Sequence, residues 1–103
     1  DFTYIDDVIN IILNLRSKKI NKNEIFNICS NTTTNLKLIL KILNTEAPRL
    51  KIINKKANKL DVFKTHGDNN KVKKKTNYNK FTNSKDSLLT TINWYLNNHK
   101  IFN

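Results

Sequence analysis

The chain has 103 residues and a formal net charge of +11, with 38 % apolar residues, one glycine, one proline and one cysteine. That length fits a single unit over 1–103, able to bury roughly 60–65 % of its unfolded surface. No apolar run reaches the ~18–20 residues that span a bilayer. The lone Cys29 excludes an internal disulfide and fits a reducing compartment, so the cytoplasm is the expected location and no membrane partner is expected.

Nineteen Asn, seventeen Lys and thirteen Ile fill nearly half the chain. All three can be encoded by A/T-rich codons, so the basic balance alone does not imply a polyanion partner. The lysines are scattered apart from one run, Lys71-Val72-Lys73-Lys74-Lys75, and the arginines are Arg16 and Arg49. Scattered lysine suits a solvated surface, whereas bidentate phosphate and base contacts favour arginine, so nucleic acid is not the expected partner.

The chain contains no Met and opens on Asp1. Its first heptad reads as the end of a strand (Phe2, Tyr4, Ile5) running into an acidic helix start, so a piece of a longer protein is expected. Asp6 and Asp7 supply cap and first-turn acids for a helix carrying Val8 to Leu15 and ending in the cations Arg16, Lys18 and Lys19. Residues 24–30 are a short β-rich run, read as a strand. A polar connection follows, and then a second helix from Leu36 to Leu43, stopped before Pro48.

Leu50-Lys51-Ile52-Ile53 is the next strand candidate, with a short extended piece around Leu60 to Phe63. Asp68 or Asn69 is placed to cap a short basic helix carrying Val72. Thr82 or Asn83 is placed to cap a last helix that carries Leu88 to Leu96 and ends at Asn97-Asn98. This alternation of elements predicts an α/β fold.

No self-contained active site can be read from the chain. His66 and His99 lack metal-ligand partners at useful spacing, and Cys29 ends an apolar run, where a thiol is ordinarily inert. Asp6 and Asp7 are adjacent, so on a helix they diverge and do not form an acid–base pair; capping accounts for them. One glycine cannot build a phosphate loop.

Five segments, taken in order, nevertheless form a pattern. Asp1-Phe2-Thr3-Tyr4-Ile5-Asp6-Asp7-Val8 is similar to R-D-F-x-Y-[IV]-x-D. Phe26-Asn27-Ile28-Cys29-Ser30 is similar to [YF]-N-[IV]-[GC]-[SN]. Asp61 to Asp68 is similar to G-D-V-x-x-T-x-A-D, with both acids at the same separation. Lys71 to Tyr78 tracks S-K-A-x-x-x-L-G-[YW], and Tyr78 to Tyr95 runs parallel to Y-x-P-x-T-S-L-E-E-G-L-x-x-T-[VI]-x-W-Y. Together they resemble the extended short-chain dehydrogenase/reductases that act on nucleotide sugars, most closely UDP-glucuronate 4-epimerases. Related 4,6-dehydratases and decarboxylases are near competitors, and a small basic nucleic-acid or polyanion module is the alternative from another class.

The resemblance implies a C-terminal substrate-binding lobe with a last strand–helix segment. NAD, the catalytic Tyr/Lys pair and the dimer helices would belong to an N-terminal Rossmann domain absent from this chain. The fragment alone is then expected to be inactive, and none of its residues is catalytic or binds the cofactor or a metal. Phe2 matches an aromatic position near the nucleotide, with a core strand aromatic as the equal alternative. Asp61 matches an acid that accepts from ribose hydroxyls, and a loop-capping Asp is the equal alternative. Trp94 and Tyr95 match core and lobe-packing aromatics. Leu60 stands where the family has glycine, and Phe81 stands where a polar residue is common.

Overall fold

The computed structural model describes residues 1–20 and 23–98. Four helices form: α1 (Ile5–Arg16), α2 (Leu36–Glu46), α3 (Asn70–Thr76) and α4 (Ser84–Asn98). Each starts or stops for a local reason. α1 carries Asp6 and Asp7 in its first turn and Arg16 in its last, matching the helix dipole at both ends. The Asn35 side chain accepts from the Lys37 N–H (2.8 Å) to start α2, which closes at Ala47, one residue before Pro48.

Asp68 accepts from the Asn70 N–H (2.8 Å) at the start of α3, and Asn77 ends that helix in the left-handed region at φ 60°. At α4, Asn83 Oδ1 accepts from the Asp86 N–H (2.9 Å), and the Asn83 amide donates back to the Asp86 carboxylate. This is a reciprocal cap of the capping-box kind.

The helices pack as two pairs, α1 on α3 and α2 on α4. Ile11 and Val72, one from each member of the first pair, are completely buried, and Ile92 of α4 is nearly so. That is a small apolar core. The radius of gyration is 16.7 Å, against about 13 Å for a compact domain of this length. Much apolar surface therefore faces outward, including Ile5, Ile9, Ile12 and Leu13 of α1.

The architecture corrects the α/β expectation. Among the described residues there is no strand and no sheet, so the chain is not an α/β lobe of the Rossmann type. A strand needs a neighbour to take its backbone groups, and neither the three expected strands nor the extended piece at Leu60 to Phe63 has one. Phe2 to Tyr4 lead straight into α1. In residues 24–30, side chains take the backbone groups instead: Lys71 Nζ donates to the Ile25 carbonyl (2.9 Å), Asn69 Nδ2 to the Cys29 carbonyl (2.7 Å), and the Ser30 N–H donates to Asp1 and Thr3. A strand-like alternation survives in the burial alone, with Ile25 and Asn27 exposed and Phe26 and Ile28 half-buried.

Residues 48–66 are exposed throughout. Leu50 to Ile53 and Leu60 to Phe63 lie in this stretch, so they have apolar side chains but no surface to bury them against. The segment also holds Arg49, Lys51, Lys55, Lys56, Lys59 and Lys64. Exposed backbone with few tertiary bonds is the preferred site of nicking. Limited trypsin digestion read by mass spectrometry should therefore cut first between Arg49 and Lys64. First cuts within α1 or α4 would contradict this packing.

Candidate functional site

The N-terminal residue is a hub. Asp1 Oδ1 accepts from the Ser30 N–H (3.2 Å), Ser30 Oγ (2.7 Å) and Thr3 Oγ1 (3.3 Å). Oδ2 accepts from the N–H groups of Asn31 (3.1 Å) and Gly67 (3.3 Å), and the amino group donates to Thr65 O (3.0 Å) and Oγ1 (3.1 Å). A carboxylate has about four lone-pair sites, so this one is saturated. It joins Thr3, Ser30, Asn31 and Gly67.

The junction is also close-packed. A Cβ on Gly67 would lie 2.6 Å from Cys29 Sγ and 3.1 Å from its Cβ. Asn69, wholly buried beside it, holds the Cys29 carbonyl through Nδ2, while its Oδ1 has no hydrogen-bond partner. His66 Nε2 lies 3.4 Å from the Asn31 carbonyl. Cys29 is half-buried against the Gly67 backbone.

Phe2, next along the chain, is 51 % exposed and lines a cleft of about 320 Å³ with Ile5, Ile39, Leu88 and hydroxyl residues of α4. Those hydroxyls are already engaged. Ser87 Oγ donates to the Ser84 carbonyl (3.1 Å), Thr91 Oγ1 to the Ser87 carbonyl (2.8 Å), and Ser84 Oγ pairs with Thr34 Oγ1. The cleft thus offers mainly apolar walls, and its α4 hydroxyls are committed within the chain. It suits the face of a planar ring better than a phosphate.

Asp61 lies elsewhere, exposed in the 48–66 segment and outside the Phe2 cleft. Its Oδ2 accepts from the Asn58 N–H (2.9 Å), its own N–H returns to the Asn58 carbonyl (3.0 Å), and Asn58 Oδ1 accepts from the Leu60 N–H (3.1 Å). It caps its own turn, and Oδ1 keeps open lone pairs.

A second carboxylate was legible in the sequence only as a helix cap. Asp7 is buried and accepts from Tyr78 Oη (2.7 Å), the Thr82 N–H (2.8 Å) and Thr82 Oγ1 (3.1 Å). Asp6 beside it is exposed, so the two acids do diverge. Nothing local marks Asp7 as a tertiary acceptor, because its donors lie more than 70 residues away. The hydrogen bond to Asp7, then burial and the carboxylate charge, raise the Tyr78 phenol above its ordinary pKa of 10.0.

The lysine run is largely occupied. Lys71 and Lys75 share Glu24 (3.4 and 3.7 Å), Lys71 Nζ lies 4.7 Å from the Phe26 ring centroid, Lys75 donates to the Lys19 carbonyl (2.8 Å), and Lys73 sits 5.6 Å from the Phe81 centroid. Trp94 and Tyr95, expected among the packing aromatics, are each about half exposed, and Trp94 lines a second cleft with Tyr4 and Ile5. Among the described residues no group of three or more His, Cys, Asp or Glu could hold a metal ion. His99 lies outside them. No described helix is long and apolar enough to cross a membrane.

Removing the Asp7 carboxylate leaves three donors without an acceptor. Asp7→Ala should lower unfolding free energy by about 3 kcal/mol or more in urea titrations, at the upper end for buried hydrogen bonds to charge. The raised Tyr78 pKa gives a signed pH dependence. Its stabilisation is full below the unfolded value near pH 10 and is lost as pH rises through the higher folded value. Tyr78→Phe should therefore be less stable at neutral pH and show a flatter alkaline limb.

No family model, curated protein or solved structure matches this chain.

Proposed function

We propose that the chain contributes nucleotide-sugar binding to an NAD-dependent nucleotide-sugar epimerase, with UDP-glucuronate as the substrate of first choice. The observation that carries this reading is convergence. The five segments that resemble such enzymes fall in three stretches of the sequence, 1–8, 26–30 and 61–95, and two carboxylates of the first segment bond to the other four. Asp1 takes donors from Ser30 and Gly67, in the second and third segments. Asp7 takes Tyr78, shared by the fourth and fifth, and Thr82 of the fifth. The helical architecture itself lends the reading no support; the order and meeting of the segments do.

In this assignment Phe2 lies against the nucleobase and Asp61 accepts from the ribose hydroxyls through its open Oδ1. The cleft beside Phe2 is apolar, as a base face requires. Hydride transfer, and the NAD that accepts and returns the hydride, belong to residues outside this chain. The polyanion alternative has less to stand on, because Lys71, Lys73 and Lys75 are engaged within the chain.

Titration of the labelled chain with UDP-glucuronate, followed by nuclear magnetic resonance, tests the reading. Shifts should appear around Phe2 and Asp61, and Phe2→Ala should weaken binding about 5- to 150-fold, the equivalent of ~1–3 kcal/mol for one base–aromatic stack. NAD should leave the spectrum unchanged and give no heat in calorimetry. Micromolar NAD binding, or shifts confined to Lys71–Lys75 on adding duplex DNA, would overturn it.

A further inference from the structure

We propose that the exposed stretch from Arg49 to Lys64 is a contact loop for an anionic membrane surface, made to the lipid headgroups and the outer acyl region. The inference does not use the nucleotide-sugar reading. The stretch carries six cations against one acid, Asp61, whose Oδ2 accepts from the Asn58 N–H. Among the described residues none of these cations forms an ion pair, whereas Lys71 and Lys75 share Glu24. From Ile53 to Lys64 the hydrogen bonds are those of the Asn58–Asp61 turn. The apolar side chains are equally unclaimed: Ile53 and Val62 are each 75 % exposed, Leu60 is 87 % exposed and Phe63 is wholly exposed. A merely solvated lysine surface would not interleave its cations with bare aliphatic and aromatic groups.

The order of residues points to lipid. Two apolar quartets, Leu50-Lys51-Ile52-Ile53 and Leu60-Asp61-Val62-Phe63, flank a basic centre holding Lys55, Lys56 and Lys59. Apolar groups that enter the headgroup–acyl boundary, with cations beside them at the phosphates, are the two signals a lasting surface contact needs. Lysine stems lie along such a boundary and keep their ammonium groups in water. The doublets Ile52-Ile53 and Val62-Phe63 decide between lipid and a protein partner. Consecutive side chains of an extended chain point to opposite faces, so a sheet edge would bury one of each doublet and leave the other in water. Lipid surrounds an inserted segment and takes both. A groove built for a helix is no better match, because this stretch forms no helix. Nucleic acid fits less well, since Arg49 is its one arginine and Phe63 its one aromatic residue. No described helix is long and apolar enough to cross a bilayer, and a surface contact requires none.

Co-sedimentation of the full chain with vesicles tests this. The chain should sediment with vesicles of phosphatidylcholine and phosphatidylserine and stay in solution with phosphatidylcholine alone. Trypsin cuts between Arg49 and Lys64 should disappear on the mixed vesicles, a readout that needs no variant. Lys55→Glu with Lys56→Glu should weaken partition about 25-fold or more, at about fivefold for each cation near the surface. Lys41→Glu with Lys85→Glu, the same charge change at exposed lysines of α2 and α4, should cost about twofold or less, because salt screens charges held off the surface. Ile53→Ser with Phe63→Ser should weaken partition about tenfold or more, with helical circular dichroism unchanged because both side chains are exposed. Failure of the wild type to sediment overturns the inference. So does equal loss from the two charge-reversed pairs, which would assign binding to net charge, or full binding by the serine variant. Protection of the stretch by polyglutamate or duplex DNA but not by vesicles would assign it to a soluble polyanion and also overturn the inference.

Discussion

The demand of two carboxylates for donors, Asp7 buried and Asp1 half-buried, organises this chain. Asp1 and Asp7 bracket the first heptad, and between them they accept eight hydrogen bonds. Apart from Thr3 and the chain near it, every donor comes from residues 30 onward. An ionised carboxylate withdrawn from water must have its lone pairs filled, and each hydrogen bond to such a charge is worth about 1.5–3 kcal/mol. With three buried apolar side chains among the described residues, that contribution is comparable to the core. The α1–α3 pair and the 65–82 region are held to the N-terminal segment by polar bonds at least as much as by apolar contact.

This division explains the open shape. Helices form from local causes, through caps, dipole complements and apolar periodicity, and need little from the rest of the molecule. The two pairs then meet around a small core, and Ile25, Ile53, Val62 and Phe63 are left largely exposed. Where apolar packing is thin, segments without regular structure depend on side chains that reach their backbone. Lys71 and Asn69 do this for residues 25–29, and Asp1 for 30, 31 and 67.

What the sequence disclosed follows the range of the forces. The four helices were legible because Asn35, Asp68, Asn83, the Asp6–Arg16 polarity and Pro48 act within a turn of the ends they set. The strand expectations fail because β-propensity records only a fit to a pleated, half-buried surface, and Leu50–Ile53 has no such surface. The sequence allows Asp61 two roles, and its turn with Asn58 supplies one of them while leaving an oxygen for the other. The tertiary role of Asp7 was hidden, since its donors are Tyr78 and Thr82. The meeting of Asp1 with Ser30 and Gly67 was hidden for the same reason.

The exposed 48–66 stretch has a further consequence, for changes of chain length. It is anchored by α2 on one side and by the bonds of Thr65 and Gly67 on the other, so its interior closes a loop and carries no packing. Loop-closure entropy grows only by about 0.6 kcal/mol for each doubling of length. Extra residues between Ile53 and Ala57 would leave the Asn58–Asp61 turn and both carboxylate junctions in register. A single residue inserted between Asp1 and Asp7 would rotate one junction away from the other. Variation in length among chains of this kind should therefore gather in the 53–57 stretch and be absent from the first heptad.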